Sequence, residues 1–152
     1  MLRFIQIECN EFGFSSFTNG TLQTKEENIC DGNPLLTDSS RGRAISIIAS
    51  SISGMDLLAN IDSPQYKAVC WLIFDDARQL DPLTNYSSIS LVQRYVLAVL
   101  FYSTQGWAWY EMYNFLGEQT ECKWNNSSAT YGILGIMCDE EDNIVQIDLG
   151  KV

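Results

Sequence analysis

Cys122-Lys123-Trp124, Gly135-Ile136-Met137-Cys138 and Ile144-Val145-Gln146-Ile147-Asp148-Leu149 lie close together in the last third of the chain, and their reading decides the fold. Gly135–Cys138 and Ile144–Leu149 are apolar runs on either side of Asp139-Glu140-Glu141-Asp142-Asn143, residues whose side chains bond their own backbone in turns. That order predicts a β-hairpin. In its second strand Val145, Ile147 and Leu149 alternate with Gln146 and Asp148, which predicts one buried face.

Upstream the apolar period lengthens from two to that of a helix. Ile45, Ile48 and Ile52, joined by Ala44 and Ile47, predict one apolar face of a helix running from Arg41 to near Gly54. Ser63-Pro64 predicts a helix start, since serine can cap free amides and proline suits the first turn. Tyr66, Val69, Cys70 and Ile73 then share a face, and Asp81-Pro82 with Asn85 marks the following turn. A third helix is expected from Ser88 or Ser90 to about Thr104, stopped by Gly106. Its middle, Tyr95 to Tyr102, is apolar all round and predicts the central core helix. The aromatic stretch Trp107–Leu116 reads as a short irregular helix with its rings on the core. Residues 1–40 carry isolated apolar residues among Ser, Thr, Asn, Gly and acids, and predict a poorly structured leader with a short strand at Arg3–Ile7. The fold class is therefore α+β, mainly helices and then a terminal hairpin.

The motifs resemble the N-terminal cap of plant-receptor-type leucine-rich-repeat domains. There a Cys-x-Trp is followed by Gly-Val/Ile-x-Cys and a strand reading Val-x-x-Leu-x-Leu. Ser63-Pro-Gln-Tyr-Lys-Ala68, Trp71-Leu72, Asp75-Asp76, Leu80-Asp-Pro82, Arg94-Tyr-Val-Leu-Ala98, Trp107 and Asn114-Phe-Leu116 are similar to the segment that precedes the cap in algal, diatom-like members. The resemblance covers roughly residues 41–149, with 150–152 as the start of a first repeat. Two departures stand out. The stretch from Trp124 to Gly135 is longer than in the compact plant cap, and Val152 stands where the repeat consensus has asparagine.

The resemblance implies a Cys122–Cys138 disulfide, worth about 3 kcal/mol for a loop of this length. It implies cap packing by Trp107, Trp124, Ile147 and Leu149, with Trp124 on the disulfide and the first repeat. The implied function is non-enzymatic: shielding the end of a repeat array in a receptor-like or adhesion-type protein that binds a protein or peptide ligand. The implied partners are the following repeats and that ligand, and the implied setting is extracellular or membrane-tethered.

Composition narrows the other classes. The 152 residues carry 9 basic and 19 acidic side chains, a net charge of −10, and no histidine. A surface of that sign is unsuited to nucleic acid or to anionic lipid. Without histidine the commonest general base and metal ligand are missing. No catalytic residue, cofactor or metal site is expected. No apolar run approaches the ~20 residues that span a bilayer, and Gln6 and Glu8 break the opening stretch short of the roughly 7–15 apolar residues of an export signal. A cytoplasmic setting thus stays open.

Five cysteines are an odd count, and Cys9, Cys30 and Cys70 suggest no pairing, Cys70 reading as a small buried apolar residue. Asp139–Asp142 lacks the glycine turn and terminal glutamate of a calcium loop and reads as a solvated hairpin tip. Asp75-Asp76 reads as a solvated pair at a helix end. Asn19, Asn85, Asn125 and Asn126 begin Asn-x-Ser/Thr sequons, and Asn125 and Asn126, between the two cysteines, are the glycan candidates. Two other functions remain. One is a free-standing acidic intracellular adaptor acting through the aromatic stretch. The other is a carboxylate hydrolase built on Asp75, Glu111 or Asp148.

Overall fold

The structure, a computed structural model, describes residues 39–130 and 132–150. It is α+β: four α-helices precede a three-stranded antiparallel sheet. The leader reading lies outside the described residues, except that Ser39 precedes the first helix and Ser40 begins it. Ser39 accepts the Gly42 N–H and caps α1 (Ser40–Ser53), which ends at Gly54 in the left-handed half of backbone space. The buried face of α1 is Gly42, Ile45, Ser46 and Ala49. Ile48 is half-buried, while Ile47 is 62% exposed and Ile52 is also exposed, so the expected isoleucine face is rotated toward the smaller residues. Small side chains on that face let the helix approach the core closely.

A one-turn-scale helix, α2 (Met55–Ala59), follows and buries only Leu58 of its own side chains. Ser63 caps α3 (Pro64–Cys70) through Tyr66 N–H, and its own hydroxyl donates to Leu57 carbonyl at 2.5 Å. From Trp71 to Asp75 the helix widens into a π turn, closed by Asp76 N–H on Trp71 carbonyl at 2.8 Å. The extra residue per turn changes which side chains face inward. Trp71, Leu72 and Ile73 are all buried there, directly after the buried Ala68, Val69 and Cys70 of α3.

α4 (Asn85–Ser103) starts earlier than the serines suggested and is the central helix. Leu91, Arg94, Tyr95, Leu97, Ala98 and Phe101 form its buried side, whereas Ile89 and Val96 are exposed, so it is not surrounded on every side. Tyr95 hydroxyl meets Ser53 Oγ at 2.8 Å and ties α4 to α1. The left-handed residue after the helix is Gln105, at φ 52°, not Gly106. Gly106 is required for another reason: a Cβ there would sit 2.1 Å from the Phe101 ring. The aromatic stretch is a 3-10 turn at Gly106–Ala108 and then an irregular loop. Trp109, Tyr113 and Phe115 are buried, with Phe101 stacked on Phe115 and edge-on to Trp109.

The hairpin is two thirds of a larger sheet. β1 (Asn125–Ser128) pairs with β2 (Gly132–Cys138), and β2 with β3 (Ile144–Asp148), so β2 is central. Ile136 is its fully buried anchor, with Leu134, Cys138, Ile144 and Leu149 packed partly against the core. Val145 and Ile147, expected on a buried face, are 64% and 44% exposed. Among the described residues their strand lies at the sheet edge, with a bulge beside Cys138.

Candidate functional site

The C-terminal platform is built around one buried charge. Arg94 projects from α4 with no exposed side-chain surface, and its guanidinium lies against two indoles that meet edge-on, 5.1 Å from the Trp71 ring and 4.8 Å from the Trp124 ring. Asp76, delivered by the π turn, accepts Nε at 2.9 Å and Nη2 at 2.6 Å, a two-point fork. Glu121, from the 3-10 turn Glu121–Lys123, accepts Nη1 at 3.0 Å. Gly117 and Gln119 carbonyls accept the remaining N–H groups at 2.8 and 2.9 Å. Arg78 and Ser90 also donate to Glu121, at 3.2 and 3.0 Å. Two arginines and two carboxylates thus balance in charge, which is what burial of such groups demands. Nearby, half-buried Arg41 donates to the Leu72, Ile73 and Leu80 carbonyls that the π turn and its exit leave open, and desolvation pulls its pKa down.

Asp75-Asp76 is therefore no solvated pair. Asp75 is exposed, and Asp76 is wholly buried in the bidentate bond. Arg94, Asp76 and Glu121 are the residues that sequence reasoning missed. A signal existed, because Arg94 falls in helical phase with Leu91, Ala98 and Phe101, where a charge has no place unless it is paired.

Around this lock sit the residues expected from the cap motifs. Cys122 and Cys138 are disulfide-bonded and join the 3-10 turn to the end of β2. Trp124 is fully buried against Phe115, Trp71 and Arg94, inside this chain's own core, with no surface left to offer a neighbour. Its indole N–H makes no hydrogen bond among the described residues, so the ring acts through its area and its π face. Gly135, at φ 104°, lies over the next peptide: a Cβ there would be 2.4 Å from Trp124 carbonyl oxygen. Trp107 and Ile147 are exposed and Leu149 is half-buried, its carbonyl accepting the Tyr113 hydroxyl at 2.9 Å. Asn125 is half-buried and Asn126 is exposed, both on β1.

Of the carboxylates of the hydrolase reading, Asp75 ends the π turn, while Glu111 in the aromatic loop and Asp148 at the end of β3 both lie near Tyr113, whose pKa is raised by desolvation and then by these two charges. Among the described residues no three His, Cys, Asp or Glu side chains gather as a metal site. The Asp139 carboxylate is occupied by the turn itself, accepting from Asn143 and Glu141 N–H groups, and these bonds lower its pKa. A cleft of about 50 Å³ beside Arg78, Ser90, Gln93 and Glu121 has room for a few waters only. No described helix is long and apolar enough to cross a membrane. No family model, no curated protein and no solved structure matches the chain.

Proposed function

We propose that this chain is the non-enzymatic N-terminal cap of a leucine-rich-repeat array in an exported, receptor-like or adhesion-type protein. The observation that carries this reading is β3. Among the described residues it is an edge strand, with Val145 and Ile147 exposed, held on a rigid platform by the Cys122–Cys138 disulfide and by Gln93, which bonds Ile144 N–H at 2.8 Å. An open edge with apolar side chains beside it is a liability for a finished surface and an asset for a strand awaiting its neighbour. The cap's role is to cover the apolar end of the array, and the concave face of the repeats reads the protein or peptide ligand.

The test is the coding sequence that follows the codon for Val152. Leucine repeats at a period of roughly 24 residues support the cap; a stop codon there, in a verified transcript, sinks it. One observation favours the adaptor as a second reading. Tyr110 is 95% exposed, next to exposed Trp107 and Met112, an aromatic surface of the kind that binds partners. In that case Tyr110→Ala would abolish partner capture while Val145→Lys would leave it intact, and the cap predicts the reverse order of sensitivity.

A further inference from the structure

We infer that Asn126 is an N-glycan acceptor and that its neighbour Asn125, although it begins an equally good sequon, is a structural residue. The two overlap as Asn125-Asn126-Ser127 and Asn126-Ser127-Ser128, so sequence alone treats them alike. Geometry separates them. Asn125 Nδ2 donates both its hydrogens, to Cys122 carbonyl at 2.8 Å and to Ile136 carbonyl at 2.9 Å. Those bonds tie β1 to the disulfide turn and to the central strand. Gly135 closes the space above it, since even a methyl group on Gly135 would lie 2.6 Å from Asn125 Cα and 3.0 Å from its Cβ.

The transfer reaction sharpens the contrast. A transferase joins Nδ2 to the anomeric carbon of a lipid-diphosphate-linked oligosaccharide. The sugar–phosphate bond breaks, lipid diphosphate leaves, and one Nδ2 proton passes to a base of the enzyme. The product amide keeps one hydrogen and carries a bulky sugar. At Asn125 that removes one of two half-buried hydrogen bonds and puts a sugar ring where a backbone carbonyl stands. At Asn126 the side chain is exposed on β1, which among the described residues pairs with β2 alone, so a sugar extends into solvent. A disulfide in the same loop fits folding in a compartment where this transfer takes place. The glycan shields the β1 edge of the sheet and leaves the β3 edge open. This inference stands apart from the cap reading, since it needs only export.

The experiment sends the full chain through the secretory pathway of a eukaryotic host. The disulfide-bonded product is digested with trypsin, treated with peptide N-glycosidase in heavy-oxygen water and sequenced by tandem mass spectrometry. The expected heavy-aspartate mark falls on Asn126. Two hydroxyl variants leave both asparagines in place: Ser127→Ala removes only the Asn125 sequon and should keep occupancy, and Ser128→Ala removes only the Asn126 sequon and should lower it at least tenfold. A mark on Asn125, a glycan that survives Ser128→Ala, or a bare peptide from folded wild-type chain would overturn the inference.

Discussion

A guanidinium carries five N–H donors, and Arg94 places all five on acceptors drawn from three later or earlier segments. Removing it strands Asp76 in the core and leaves Glu121 to Arg78 and Ser90 alone. Arg94→Met should therefore cost about 3–5 kcal/mol in urea unfolding, the range for breaking a buried ion pair. Arg94→Lys should recover part of that, because a point charge remains but the fork is lost; a loss under about 1 kcal/mol for Arg94→Met would show the lock to be dispensable. Gln105 offers the opposite case. It takes the left-handed conformation after α4, is exposed, and makes no side-chain cap bond to the 3-10 turn that follows it. Gln105→Gly should stabilise the chain by roughly 0.5–1 kcal/mol, read as a rise in thermal midpoint, since glycine enters that region without a Cβ penalty. A fall in the midpoint would mean that the side chain contributes more than its backbone costs.

Elements differ in how openly the sequence declares them. The α3 start was legible in Ser63-Pro64 because capping is local chemistry, and Ser63 does accept Tyr66 N–H. The hairpin was legible for the same reason, its turn residues lying between two apolar runs. β1 was not. Asn125-Asn-Ser-Ser has no apolar alternation and is a strand because β2 lies beside it, a tertiary cause. The π turn and the orientation of α1 were hidden too, since both depend on which face the assembled core accepts. Of the site, the cysteine pair was readable through a motif, whereas Arg94 and its partners were not. Asp76 and Glu121 lie 18 and 27 residues from Arg94, beyond any local pattern. The hairpin turn makes a pH prediction. Hydrogen bonds from Asn143, backbone and then side chain, hold the Asp139 pKa below its ordinary 3.8. A depressed carboxylate contributes stability above its unfolded value and loses it as pH falls through the folded value. The Asp139 carboxyl should therefore titrate below 3.8 by NMR, and the Asn143 and Glu141 amides should exchange faster only under that pH. A midpoint at or above the ordinary value would mean the turn is open in solution.

At the scale of the whole molecule, charge and the open edge pull against each other. A net charge of −10 keeps copies apart, while the exposed β3 edge invites pairing. Repulsion is screened beyond a Debye length of ~8 Å at physiological salt and ~3 Å at 1 M. Sedimentation at micromolar concentration should show association growing with salt, and Val145→Lys or Ile147→Lys should suppress it. A clean monomer of the unaltered chain at 1 M salt would show that the edge is covered. Burial pushes the Cys70 thiol up to about 12, so it stays protonated near neutrality and out of exchange with the Cys122–Cys138 pair. The Arg94 lock, finally, imposes an order on birth. The helices leave the ribosome first, but Glu121 follows Arg94 by 27 residues, roughly 1–5 s of synthesis at about 5–20 residues per second. During that interval the guanidinium lacks Glu121 and the Gly117 and Gln119 carbonyls, and dry burial is unfavourable for it. The nascent helical half must wait, wet and unsealed, until the turn carrying its counter-charge arrives, so the carboxy-terminal third decides when the amino-terminal helices may close.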